Sequence, residues 1–276
     1  MRTDPTLGGM ERLSQARLIW GAGILLAAIV AALGSATAQK PPKTAPDVVE
    51  RQVKLYAGCM SLARSDPEKA AGVAAKWERR GGDEGARHCG AVAQLNRGKY
   101  VEAAENLQFL AATTQRPGKT IKANLFAQAA QAWMIAGNLE RAIRAQSRAL
   151  EIGGFNVEVL VDRAIARGGL GDYWTAIDDL NDVIDREVGH VQALILRATA
   201  WRKLKNLDLA LDDITRALAV APSGIDALLE RGNIYALRGE LTKAAGDWRD
   251  VIRLSPNSIA AEAARGNLTK NTKQAP

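Results

Sequence analysis

Apolar positions recur at helical spacing along most of this chain, and from Ala123 onward they recur in register every 34 residues. Ala227–Leu237 carries apolar residues at 227, 228, 229, 234, 235 and 237, a broad stripe of helical rather than strand period. Gly239 interrupts the stripe where a helix should end. Ala244, Ala245, Trp248, Val251 and Ile252 resume it, and Ser255-Pro256-Asn257 closes it. The pattern predicts two short antiparallel helices joined by a tight turn. Four consecutive segments share it: Ala123–Asn156, Val157–His190, Val191–Gly224 and Ile225–Ser258. Position 20 is always Ala (Ala142, Ala176, Ala210, Ala244), and position 17 is large (Leu139, Tyr173, Leu207, Leu241). Position 8 is small (Ala130, Ala164, Ala198, Gly232), and position 27 is Ala or Val (Ala149, Val183, Ala217, Val251). Small residues let the paired helices approach, and the large ones fill the gap. A period of this length marks a helical repeat array.

A second regularity lies in the charges. Arg163, Arg197 and Arg231 all occupy position 7, and Asp179, Asp213 and Asp247 stand 16 residues after them. Both positions are equidistant from the hairpin turn near position 15, so they should lie level across the two helices. In the first segment both charges are missing together, giving Ala129 and Ala145. Joint presence and joint loss point to an ion pair within each repeat. The competing reading is an arginine ladder that binds an anionic ligand.

These residues resemble the tetratricopeptide repeat, whose pattern has Gly or Ala at 8, a large residue at 11, Ala at 20, an aromatic at 24 and Pro at 32. The fourth segment matches with Gly232, Tyr235, Ala244, Trp248 and Pro256, and the third with Trp201, Ala210, Ala217 and Pro222. The first and second depart at position 32, with Gly154 and Val188. Residues 51–122 read as two degenerate units: Gly58 and Ala70 fit positions 8 and 20 of one, and Gly98–Ala103 fits positions 15 to 20 of the next. About five extra residues lie around Thr113–Lys122. The resemblance implies an all-α fold, a right-handed superhelical array of about six such hairpins. Residues 47–122 hold two degenerate ones, 123–258 four regular ones, and 259–276 a capping helix and polar tail.

The resemblance also implies a concave groove lined by the first helix of each pair. In this register the groove positions carry Asn124, Gln128, Gln131, Asp162, Ile165, Thr199, Arg202, Lys203, Glu230 and Asn233, with a local positive spot at Arg202 and Lys203. Each of these is also readable as solvated surface. Chaperone-binding members hold a carboxylate with Lys at position 5. Here that position is Ala127, Val161, Ile195 or Leu229, so that clamp is absent.

The start of the chain has a different pattern. Arg12 and Arg17 precede an uncharged stretch from Leu18 to Gln39, ended by the small-x-small run Ala36-Thr37-Ala38. Residues 1–38 are expected to be an export signal cleaved after Ala38, with an uncleaved membrane anchor as the alternative. A Pro-rich linker occupies 39–46. Either reading of the signal places the body in the periplasm, free or tethered to the inner membrane. In that setting the pair Cys59 and Cys89 is expected to form a disulfide between successive first helices, with free thiols as the alternative.

The net charge of +7 and pI near 9.5 are compatible with anionic partners, but the basic residues are spread among Asp and Glu with no dense run. No aromatic-plus-basic motif supports nucleic-acid binding. Catalytic and cofactor motifs are absent. Gly168-Gly169-Leu170-Gly171 falls at the end of a first helix with no strand before it, so it reads as a loosened helix end. The sequence therefore leads to a non-enzymatic scaffold without metal or cofactor, binding another envelope protein. The alternative is an envelope factor that binds an anionic polymer, carbohydrate or membrane surface.

Overall fold

The computed structural model describes residues 46–115 and 118–272. The expected signal, most of the linker, and Arg116 and Pro117 of the insertion lie outside them. Every described element is an α-helix. Thirteen follow one another: α1 (Pro46–Ser65), α2 (Pro67–Glu78), α3 (Asp83–Asn96), α4 (Tyr100–Thr113), α5 (Lys119–Ile135), α6 (Leu139–Gly153), α7 (Val157–Gly169), α8 (Tyr173–Arg186), α9 (Val191–Lys203), α10 (Leu207–Val220), α11 (Ile225–Leu237), α12 (Leu241–Leu254) and α13 (Ile259–Thr272). The arrangement is that of a tetratricopeptide-repeat array, six hairpins and a final helix. The residues form two compact units that divide at Val159 and Leu160.

Local chemistry starts and stops the helices. Asp66 caps α2 by accepting from the Lys69 amide at 3.0 Å, and Pro67 occupies the first turn, where no amide donor is needed. Asn138 caps α6 in the same way through the Arg141 amide at 3.1 Å. The hairpin turns pass through the left-handed region at Gly98, Gly137, Gly171 and Gly239, with φ between 74 and 81°. At the equivalent turn between α9 and α10 that role falls to Lys205, the one non-Gly residue with positive φ (62°) among the described residues.

In the first unit α1 and α3 pack side by side and are joined by the Cys59–Cys89 disulfide, with Cα atoms 6.1 Å apart. Both sulfur-bearing residues are buried among Met60, Ala63, Ala74 and Trp77. A second cluster from α3 to α6 is centred on Leu107, Leu125, Phe126 and Trp133. The insertion is divided between loop and helix: α5 has 17 residues, against 13 in each of α7, α9 and α11, and begins four residues before Ala123.

In the second unit the small residues at positions 8, 20 and 27 sit at the helix contacts. Ala164, Ala198, Ala210, Ala217, Val183 and Val251 are all buried. At Gly232 the approach is closer still, since an added Cβ would lie 2.6 Å from Nε1 of Trp248. Helix α13 packs on α11 and α12, burying Ala261 and Ala264. It is anchored by the Asn267 amide, which donates to Asn233 Oδ1 at 2.9 Å.

Candidate functional site

Each hairpin of the second unit contains the level Arg–Asp pair. Arg197 meets Asp213 side-on, donating from Nε at 2.8 Å and Nη2 at 2.6 Å; Nη1 donates to Asn181 at 2.7 Å. Arg231 repeats the arrangement on Asp247 at 2.8 and 2.7 Å, and Arg163 on Asp179 at 3.0 and 2.6 Å. Arg167 adds a second contact to Asp179 at 2.7 Å. The three carboxylates are buried. Hydrogen bonding to Asp213 raises the Arg197 pKa against the cost of burial, and Asp247 does the same for Arg231. These forks spend two donors each on a carboxylate of the same hairpin, and Arg197 a third on Asn181 of the preceding one, which leaves the arginine-ladder reading little to work with.

The groove positions tell a different story from the one their polarity implies. Among them, Asp162, Ile165 and Glu230 are buried, and the others are half-buried. Several reach across to the neighbouring hairpin. Arg202 on α9 donates from Nε to Glu230 on α11 at 2.6 Å, with Nη2 at 3.3 Å, and both side chains are largely enclosed. The positive spot expected at Arg202 and Lys203 therefore has its Arg202 charge matched by Glu230. Asn233 is bound to α13, and Thr199 returns its hydroxyl to the Ile195 carbonyl at 3.0 Å.

In the first unit Gln128 on α5 accepts at 3.0 Å from Nε2 of His88 on α3, while Tyr56 on α1 lies 2.7 Å from Nδ1. An amide oxygen only accepts, so Nε2 donates to it; in the neutral imidazole Nδ1 then accepts from the tyrosine hydroxyl. Gln131 stands half-buried on the same helix without a role in that chain of bonds. Gln128, Arg202, Glu230 and Asn233 on the first helices thus tie one element to the next.

Sequence reasoning overlooked these links because they join different repeats. Arg202 and Glu230 are 28 residues apart, and His88 and Gln128 are 40 apart across the irregular insertion. A search for opposite charges at position 12 and position 6 of the next repeat finds the first pair. It also overlooked Trp174. Trp77, Trp133 and Trp248 are buried, whereas Trp174 is 62% exposed and meets Trp201 edge-on at 5.6 Å.

Among the described residues no group of three or more His, Cys, Asp and Glu is placed to hold a metal ion. No helix among them is long and apolar enough to cross a membrane.

No protein-family model matches the chain, and no curated protein matches it. Solved structures do. The structure of MamA, residues 41 to the end, from Desulfovibrio magneticus RS-1 is similar with a TM-score of 0.57 at 16% identity, covering 63% of this chain and 96% of that one. YrrB, described as a TPR protein with an unusual peptide-binding site, is similar with a TM-score of 0.53 at 16% identity, covering 69% and 96%. Identities this low speak for a shared fold and no more.

Proposed function

We propose that this chain is a non-enzymatic scaffold that binds another protein in the periplasm of a bacterial envelope. The observation that carries the reading is the repeat architecture. Successive first helices pack side by side, α1 with α3 and α9 with α11, so that each unit presents a face wider than any single hairpin. A surface assembled in this way suits an extended or helical segment of a partner. The peptide site named for YrrB is consistent with such a use of the fold. The expected export signal and the buried disulfide support the envelope setting.

The test is chemical cross-linking of the full chain in cells, followed by capture and fractionation of the envelope. The expected result is one protein retained through a high-salt wash, with the chain in the periplasmic fraction. Binding that vanishes steeply with salt and yields no protein would overturn it in favour of an anionic polymer or membrane surface.

A further inference from the structure

Trp174 stands at position 18 of its repeat, where the other regular repeats carry Glu140, Asp208 and Thr242. That position faces solvent, and the tryptophan there is 62% exposed with its ring edge-on to Trp201. Around it three successive hairpin turns of the second unit are tied into one edge. Trp174 beside the α7–α8 turn touches Trp201 at the end of α9. Arg238 beside the α11–α12 turn pairs with Asp208 at the start of α10. Along this edge Leu170, Leu209 and Leu237 are exposed, Leu237 to 60%. These leucines stand at positions 14, 19 and 13 of their repeats, all flanking hairpin turns, and large apolar side chains gathered at one edge favour contact with a partner.

The cation on the same edge is independent of the apolar pattern. Lys205 follows Trp201 in the α9–α10 turn and takes the left-handed conformation that Gly supplies in the equivalent turns. A side chain there is unfavourable by about 1–2 kcal/mol relative to the right-handed region. Backbone of this kind persists where the surrounding structure holds it, and such positions cluster at binding sites. Lys205 is exposed and makes no ion pair among the described residues, while the nearby Asp208 is engaged by Arg238.

Resting on the scaffold reading, we infer that the hairpin-turn edge formed by Leu170, Trp174, Trp201, Lys205, Leu209 and Leu237 binds a partner-protein segment in which large apolar side chains are flanked by Asp or Glu. The open face of Trp174 takes the apolar side chain, and Lys205 faces the carboxylate. This edge borders the first-helix groove at Leu237, which shares repeat position 13 with Lys203, but is centred on the hairpin turns; the groove residues Arg202, Glu230 and Asn233 are engaged between repeats.

The test uses the full chain and a fluorescein-labelled peptide with Phe-Leu between pairs of Glu, followed by fluorescence polarisation. Trp174→Ala is expected to weaken binding about tenfold or more, as loss of a central aromatic anchor does. Lys205→Glu is expected to weaken it and reduce its salt dependence. Peptides with Lys for Glu, or Ser for Phe-Leu, should bind much less. Since Trp174 is exposed, its variant should keep the wild-type circular dichroism; Lys205→Glu provides a second reading if it does not. Equal binding by Trp174→Ala and Lys205→Glu overturns the inference, as does equal binding of the Ser-substituted peptide. Loss on Gln131→Ala or Thr199→Ala alone moves the site to the groove and leaves the scaffold reading standing. No binding by any peptide overturns the edge assignment, and the cross-linking experiment then judges the scaffold reading separately.

Discussion

In the first unit the 34-residue repeat holds Ala129 and Ala145, both buried, at the positions that carry Arg197 and Asp213 in the second. One unit closes this level of the hairpin with two methyl groups and places Trp133 in the same core. The other closes it with a two-pronged ion pair. The same backbone accepts either solution because the cost of removing a charge pair from water is roughly offset by its attraction and hydrogen bonds. What differs is the response to damage. An alanine pair degrades gradually, whereas half an ion pair leaves a charge enclosed without its partner.

That contrast gives the largest expected effect. Asp213→Ala, which strands Arg197, should lower the stability of the second unit by about 3–5 kcal/mol in urea denaturation. The double substitution Arg197→Ala with Asp213→Ala should lose at least about 1 kcal/mol less than the sum of the two single changes. Strict additivity would mean that the pair does not act as a unit.

The converse experiment addresses the first unit. Replacing Cys59 and Cys89 by Ala opens a loop with a sequence separation of 30. This should cost roughly 3–4 kcal/mol in the chain-entropy model. Hydrogen exchange resolved by segment should show lost protection in α1 to α3 and none in α9 to α12. Protection lost evenly across both would contradict the division into two units.

A smaller effect sharpens the comparison within the second unit. Gly232→Ala sets a methyl group against the Trp248 ring and should destabilise by about 1–3 kcal/mol, read as a lowered midpoint of thermal unfolding. Ala198, at the equivalent position, tolerates its methyl group, so a neutral result would show that Trp248 yields easily. The smallest expected change is a gain: Lys205→Gly should raise stability by about 1 kcal/mol by relieving the left-handed turn, while weakening binding of the acidic peptide.

Much of the fold was legible because the 34-residue register forces equivalent residues into equivalent surroundings. Ala210 and Ala244 could be placed at helix contacts without any three-dimensional information. The Arg–Asp pairs were legible for the same reason, since both partners sit in one hairpin and appear or vanish together. The length of α5 was not legible, because extra residues can join a helix or a loop and nothing in Thr113–Lys122 decides the division.

The candidate groove was the least legible part. Polarity at positions 6, 9 and 12 was read as availability, yet Gln128, Arg202 and Glu230 are engaged with neighbouring hairpins and Asn233 with the final helix. Which side chains meet across repeats depends on how one hairpin is stacked on the next, and the spacing within a repeat does not fix that. Trp174 was passed over because attention went to the positions the four segments share, and position 18 is not one of them. Its position 18, polar in the other regular repeats, was the signal that separates it from Trp133 and Trp248.

The burial of Cys59 and Cys89 has a consequence for when the bond between them can be made. Once α1, α2 and α3 have closed around the sulfurs, neither an oxidant nor a reductant reaches them without opening the hairpins. The linkage is therefore settled during the molecule's own assembly. Thereafter it is a memory of that moment: a chain packed before oxidation would keep its thiols, and one oxidised first would carry its crosslink unchanged through later shifts in the surrounding redox balance.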